Sequence, residues 1–373
     1  MISMKRIILL FCCLAISAWS MSQNAGGMIN RPKIGDNSQK SSNPKNYNHN
    51  NQDKKAYVGF FKYDSVCGFE EGMAMVTLNG KHGYIDSTCH EVIPCKYDDA
   101  RSFSEGLAFV EFNGEWQCIN KLGRVVFSYN NSSLYFCFNE GLTKVSQNGK
   151  WGFINKKGEV IIQFKYDDAN PFNEGLASVK LSDRWGYIDK AGNVVIPFIH
   201  NYPIGYSYHE GLAKIYRNGK WGFINKKGEE IVTCKYVNAE YFSDGVAWVQ
   251  FSNDNKDWGI IDKTGHEVIA RYGIRNPFSD GLASVASNGK YGFIDKKGHV
   301  VIPFKYDDAR PFQEGLARIM LNHKYGFIDK TGRVVIPCIY ENAHHFSEGF
   351  AAVKLGGKWG FIDKTGKPLL LTR

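Results

Sequence analysis

Three adjacent carboxylate pairs, Asp98-Asp99, Asp167-Asp168 and Asp307-Asp308, are the first candidates for chemistry in this chain. Paired acids do general acid–base work when they converge on one pocket whose surroundings drive their pKa values apart. Neighbours in sequence that recur in several places instead suggest turn residues whose side chains bond nearby backbone N–H groups. Stacked acidic rows suit Ca²⁺, but the Gly-rich nine-residue calcium repeat is absent, so no metal site is expected. His344-His345 is the one adjacent histidine pair. His345 stands where Pro171 or Pro311 stands elsewhere, so the pair reads as loop residues and not as metal ligands. No Gly-rich phosphate loop opens a helix, and no Ser, His and Asp arrangement suggests a nucleophile. The chain does not read as an enzyme, and no cofactor is implied.

Cysteine gives little more. Beyond Cys12 and Cys13, the chain carries Cys67, Cys89, Cys95, Cys118, Cys137, Cys234 and Cys338, an odd set whose spacing fits no zinc motif. Cys95, Cys234 and Cys338 occupy a place that holds Phe164, Phe198 and Phe304 elsewhere, and Cys118 stands where Phe153 stands. These four read as small buried apolar residues. Cys67 and Cys89 are expected in loops, as the candidates for a reactive or paired thiol.

The elements that must position any site are repeats. An acidic residue followed by Gly recurs from Glu71-Gly72 to Glu348-Gly349 with a period of about 34 residues, in nine copies. In the copy that begins at Asp280, Leu282 to Val285 predicts a short strand, and Asn288-Gly289 predicts a two-residue hairpin turn. Tyr291 to Asp295 predicts a second strand, Lys296-Lys297-Gly298 a turn, and Val300 to Ile302 a third strand ended by Pro303. Each unit is therefore a three-stranded antiparallel meander, and no stretch carries a helical period.

The middle strand says how the units meet. In Trp151-Gly152-Phe153-Ile154, Trp151 and Phe153 face one way and Gly152 and Ile154 the other, so both faces are apolar and both must be covered. Glycine inside a strand costs stability and recurs where another backbone approaches closely. Sheet packed on sheet explains both. Stability must come from stacking, because an isolated meander is marginal in water. The predicted fold is an all-β tandem array forming an open solenoid or superhelix, with a closed β-propeller-like ring as the alternative. Three strands per unit is one fewer than a usual blade, and nine blades exceed the usual count.

These units resemble the WG (KWG) repeat of bacterial secreted proteins. The residues that carry the resemblance are Lys150-Trp151-Gly152-Phe153-Ile154, Lys220-Trp221-Gly222-Phe223-Ile224 and Lys358-Trp359-Gly360-Phe361-Ile362, with the Tyr-Asp-Asp-Ala runs at 97–100 and 166–169. The resemblance implies an all-β repeat and an exported protein. It implies no shared catalytic residues.

The start fits that expectation. Lys5 and Arg6 precede the apolar run Ile7 to Ala18, and Ala18-Trp19-Ser20 suits cleavage after Ser20, so residues 1–20 read as a signal peptide. The run is too short to span a bilayer, and no membrane insertion is expected after cleavage. Phe11 and Cys12 stand where a lipoprotein signal needs small residues, which argues against a lipid anchor. Residues 21–55, rich in Asn, Ser and Lys, predict a disordered spacer, and 56–373 the nine repeats. The expected location is the periplasm, the cell surface or the medium.

The net charge of +9 is mild and much of it falls in repeated turns such as Lys156-Lys157, Lys226-Lys227 and Lys296-Lys297. Such turns form a basic stripe that attracts acidic polymers weakly, or a solvated row that blunts sheet edges. The footprint of a nucleic-acid binder, basic residues concentrated on one face among stacking aromatics, is absent.

Function is therefore expected at a surface. A protein-binding or scaffolding module is the first reading, because repeat surfaces vary without disturbing the core. A glycan-binding protein is the second, with Tyr202, Tyr206 and Tyr208 as flat faces for sugar rings. The repeat pattern departs from its consensus at Gln117, over Arg124 to Phe138, over Ile199 to His209, and over Ala270 to Pro277.

Overall fold

The structure, a computed structural model, describes residues 62–129, 137–200, 207–254, 257–268, 272 and 274–369. All lie within the compact unit Gly59–Arg373. The expected signal segment and spacer lie outside the described residues. The regular elements that are described are strands, arranged in nine small antiparallel sheets. No helix among the described residues is long and apolar enough to cross a membrane.

Blade eight shows the plan. Its strands Asp308–Gln313, Leu316–Leu321, Lys324–Ile328 and Val334–Tyr340 are hydrogen-bonded in that order. Turn chemistry sets the meander. In blade seven, Asn288 and Gly289 take φ of 50° and 76°, the paired positive values of a tight hairpin. At the next turn the Asp295 carboxylate accepts the N–H groups of Lys297 and His299, each at 2.9 Å, while Gly298 sits at φ 81°.

The Tyr-Asp-Asp-Ala run joins two sheets: its Tyr ends the outer strand of one, as Tyr166 does, and its last two residues, as Asp168–Ala169, form the first strand of the next. In blade four only Asp168 and Ala169 form it, paired with Lys180 and Val179. A strand of two paired residues carries no alternation to read, and it makes the three-stranded unit expected from sequence four-stranded in six blades, while blade nine, whose inner strand Asn342–Ala343 is described, is three-stranded. The fourth strand lies at the opposite edge and is partly exposed on consecutive residues, as at Val300 (49%) and Val301 (44%). Sheets that radiate from an axis diverge outward, so this strand is the outer edge and the Asp-Ala strand the inner one.

The glycine of the middle strand has a different cause from the expected approach of a neighbouring sheet. A Cβ on Gly83 would lie 2.5 Å from the Ile93 carbonyl oxygen and 2.7 Å from the Cys95 nitrogen, both in the outer strand of its own blade. The register slips on both sides of Tyr84, so the outer strand bulges over the glycine.

Packing between blades forms nine apolar clusters, one at each boundary. Leu282, Phe293, Ile302 and Tyr306 of blade seven meet Ala309, Phe312, Ala317, Ile319 and Ile328 of blade eight. The other face of blade seven, through Ala283, Val285 and Ile294, packs on Trp248, Trp258 and Ile260 of blade six. The ninth cluster joins the two ends: Ala352, Trp359 and Phe361 of blade nine meet Val66, Phe69, Ala74 and Ile85 of blade one. The Phe69 ring lies 4.5 Å from that of Phe361. The expectation of an open solenoid is therefore corrected, and the closed propeller-like ring is the fold. Blade nine ends on a short outer edge in which Leu369 N–H donates to Phe361 O at 2.8 Å. Among the described residues no strand crosses the seam, and the two blades meet face to face.

Candidate functional site

The acidic-Gly pairs lie in tight hairpins between inner and second strands. Glu314 and Gly315 take φ of 53° and 86°, an unusual conformation for Glu. Its carboxylate explains the choice. Glu71, Glu105, Glu140, Glu174, Glu210, Asp244, Asp280, Glu314 and Glu348 each accept the N–H of the glycine one blade on, at 2.6 to 3.0 Å. The ladder is cyclic, because Glu348 accepts from Gly72 at 2.7 Å. Lys156, Lys226, Lys263 and Lys364 reach back from the turns of the next blade to the carbonyl of the same Glu, at 2.8 to 3.0 Å, and to its carboxylate. Lys156 and Lys226 of the expected basic stripe are thus interblade tethers. Lys157, Lys227 and Lys297 remain exposed.

The opposite rim uses the Asp pairs. Asp167 accepts Lys150 Nζ at 2.5 Å and the Ser182 N–H of the next blade at 2.8 Å. Asp307 does the same with Lys290 at 2.5 Å and Asn322 N–H at 2.7 Å. The lysine bond, with the backbone donor, holds both carboxyls below the usual carboxylate range. Asp168 accepts from its neighbour Ala169 N–H at 2.7 Å. The carboxylates bond backbone and lysine, as the turn reading expects, and do not converge. No group of three or more His, Cys, Asp or Glu residues among the described residues is placed to hold a metal ion.

The inner ends of the blades are different. The third residue of the second strand is Lys144, Lys214 or Arg318 in three blades, and Ser178 or Ser284 in two others. Each cation donates to the alanine carbonyl of the next inner strand: Lys144 to Ala169, Lys214 to Ala239 at 3.1 Å, and Arg318 to Ala343. Each also lies over the aromatic residue of its own middle strand, at 4.6 Å for Trp151, 5.1 Å for Trp221 and 5.1 Å for Tyr325. Burial pushes the pKa of all three cations down.

The richest cluster spans blades five to seven. Arg275 Nη2 donates to Glu240 Oε1 at 2.8 Å, and the Arg275 guanidinium lies on the Trp258 ring. Lys214 Nζ sits 4.3 Å from the Tyr241 ring centre, and the His209 ring packs at a tilt on the same ring at 4.3 Å. Burial pushes Glu240 up, and the charges of Arg275 and Lys214 oppose it. His209 is held down to about 4, chiefly by burial. This cluster is the densest meeting of cation, carboxylate and aromatic groups described in the ring.

The residues expected from sequence fall elsewhere. Tyr202 and Tyr206 lie outside the described residues. Tyr208 is fully buried, its ring 4.9 Å from Tyr187 and its hydroxyl donating to Asn225 O at 3.0 Å. Its face is covered by protein, which corrects its assignment as a ligand contact. Cys67 lies in the strand Ser65–Glu70 instead of a loop, and Cys89 is buried in its turn. Burial pushes their thiols up to about 11 and about 12, and both are unpaired, so neither is an activated nucleophile. His344 packs edge-on against Trp359 at 5.1 Å and is held down to about 4 by burial, then by His345 and Arg318. The inner cations escaped the sequence reading. Their signal was a charged residue in a repeat column that holds Ser178 and Ser284 in strands buried on both faces.

A family model described as "WG containing repeat" matches nine times, at residues 61–81, 83–116, 118–151, 151–185, 185–221, 221–255, 258–291, 291–325 and 325–359. No curated protein matches the chain. Among solved structures, a eukaryotic initiation factor is 11% identical and covers 80% of this chain and 95% of its own, with a TM-score of 0.55. That likeness is one of fold. BamB from Moraxella catarrhalis, at 9% identity over 84% of this chain and 92% of its own, has a TM-score of 0.38. The dihydro-heme d1 dehydrogenase NirN, at 11% over 81% and 77%, has a TM-score of 0.43.

Proposed function

The chain belongs to the family of WG-containing repeat proteins, and on that premise we propose that its ring is an exported, non-catalytic module that binds another protein in the cell envelope or outside the cell. One observation carries this reading. The outer strands expose aliphatic residues in consecutive blades: Val125 (51%) and Val126 (41%), Val160 (41%) and Ile161 (44%), Val194 (53%) and Val195 (40%). Contiguous exposed apolar surface marks interaction sites, and an open strand edge accepts an added strand from an extended partner. Two further features support it. The carboxylate ladder and the lysines at 156, 226, 263 and 364 are engaged in holding blades together, which leaves the outer edge free to vary. The Lys5-Arg6 start and the apolar run behind it favour export.

The test is affinity capture from envelope and culture fractions with residues 21–373, beside a variant carrying Val160→Lys and Val194→Lys. A protein retained in near-equal amount by the parent and lost by an equally stable variant supports the reading. Retention of polysaccharide alone replaces it with glycan binding, and equal retention by both proteins moves the interface away from the outer strands.

A further inference from the structure

The outer strands do not all protect their free edge in the same way. Pro94, Pro197, Pro303 and Pro337 hold one column of the seven-residue outer strands of blades one, four, seven and eight. Proline has no N–H, so those sheets hold together without that donor, and the column cannot bond a strand laid alongside. Blades three and five carry exposed Gln163 and Thr233 there instead. In blade three the outer strand pairs with the middle strand through Val160, Ile162 and Tyr166, and Gln163 stands outside that register.

Blade five engages its edge charges within the ring. Glu230 pairs with Arg217 at 2.7 Å and accepts from Cys234 N–H at 3.3 Å, so its carboxylate lies along the strand. Lys235 pairs with Glu267 of blade six at 2.7 Å. Blade three has Val160 in the place of Glu230, and blade four has Val194 in the place of Glu267. Exposed Lys165 therefore has no such carboxylate and lies over the Tyr166 ring, 5.2 Å from its centre. At the other end of the strand, exposed Glu159 gives one oxygen to Asn155 Nδ2 at 2.7 Å. Between these opposite charges stand exposed Val160, Ile161 and Gln163. Such a segment is complementary to itself. Antiparallel pairing of two copies sets Ile161 opposite Gln163 and Glu159 opposite Lys165, and the two-fold axis makes each contact twice. Opposite charges across a strand pair are favourable and like charges are not.

We propose that two copies of this chain pair antiparallel along the outer edge of blade three, about a two-fold axis beside Ile162, so that one sheet runs through both rings. Each copy uses up its blade-three edge, and the pairing stops at the dimer. The dimer takes part of the rim proposed for a protein partner but does not depend on that reading.

The test is analytical ultracentrifugation of residues 21–373 over a concentration series, with thermal melts to establish that each variant is folded. The expected result is a reversible monomer–dimer equilibrium. Gln163→Pro installs the residue of four other blades and removes one donor from each copy, which should weaken the dimer roughly tenfold or more. Thr233→Pro in blade five should leave it unchanged. Lys165→Glu sets Glu against Glu at both ends of the pair and should also weaken it. Adding Glu159→Lys to Lys165→Glu restores opposite charges and should recover most of the loss. Both of these side chains are exposed, so the charge reversals decide the matter if Gln163→Pro does not fold. A monomer at every concentration, a dimer indifferent to folded Gln163→Pro, or a double reversal as weak as the single one overturns the proposal.

Discussion

The Ser347 hydroxyl donates a 2.6 Å hydrogen bond to the Phe69 carbonyl, joining residues 278 apart in the chain. Ser243 makes the same bond to Phe278 at 2.6 Å between neighbouring blades. The seam is thus chemically an ordinary boundary. Ser347→Ala should destabilise the protein by about 1–3 kcal/mol, the cost of a buried carbonyl left without its donor. Ser243→Ala should cost a similar amount. Urea midpoints check both, and a neutral Ser347→Ala beside a costly Ser243→Ala would mean that the ring is open.

Gln117 replaces the repeated glycine in blade two, and there it pairs directly with Ser128 of a shorter outer strand. Where glycine is kept, as at Gly152, the register slips around it and a Cβ would meet Ile162 O at 2.5 Å. Loss of the glycine goes with loss of the slip beside it, while the slip between Cys118 and Ile119 is kept. Gly152→Ala should therefore cost about 1–3 kcal/mol or more through overpacking. Gln117→Ala, in continuous register with Ser128, should stay within about 0.5 kcal/mol. Equal losses in denaturant midpoint would refute the coupling.

Acid should weaken the ring in two stages. Burial holds His209 and His344 down to about 4, so the unfolded chain takes up protons first and stability falls as pH drops from about 6.5 towards 4. The Thr331 hydroxyl, the Arg333 guanidinium and two backbone N–H groups hold Asp329 down to about 2. Its contribution is complete above the ordinary carboxylate range and is lost as pH falls from about 4 to 2. His209→Ser should flatten the upper stage. Asp329→Asn should flatten the lower one while keeping the turn, because Asn155 makes the same bonds to Lys157 and Glu159 N–H at 2.9 and 3.0 Å. Melting temperatures from pH 7 to 2 check both.

Cys67 and Cys89 should react slowly with a disulfide reagent at pH 8 in the native protein and rapidly in denaturant, because burial holds their thiols at about 11 and about 12. Fast stoichiometric labelling of Cys67 without denaturant would contradict its placement in the first strand.

Local chemistry was readable and global geometry was not. Asn288-Gly289 announced its hairpin, and Trp151 to Ile154 announced a strand covered on both faces. That pattern says each unit packs on the next, but the rotation per step, which separates a ring from a solenoid, follows from packing angles that no residue column records. The inner strand was missed because two paired residues have no period. Tyr208 was misread from its Tyr-rich surroundings, although it aligns with Phe172 and Phe242, both core residues. The inner cations look like ordinary strand variation until Lys214 and Arg318 are seen to bond the Ala239 and Ala343 carbonyls.

The face-to-face seam decides what the molecule does with its two unlike ends. Blade one offers Val66 and Phe69, and blade nine offers Trp359 and Phe361, surfaces that fit each other. Complementary unlike ends on separate molecules add head to tail, and the product is a filament unless the rotation brings the last copy back to the first. Here a single chain completes the turn and consumes both ends. Its own far end is always present at high effective concentration, so closure outcompetes self-association. A change that opens the ring would therefore create sticky copies of a fibre-forming unit instead of a looser monomer.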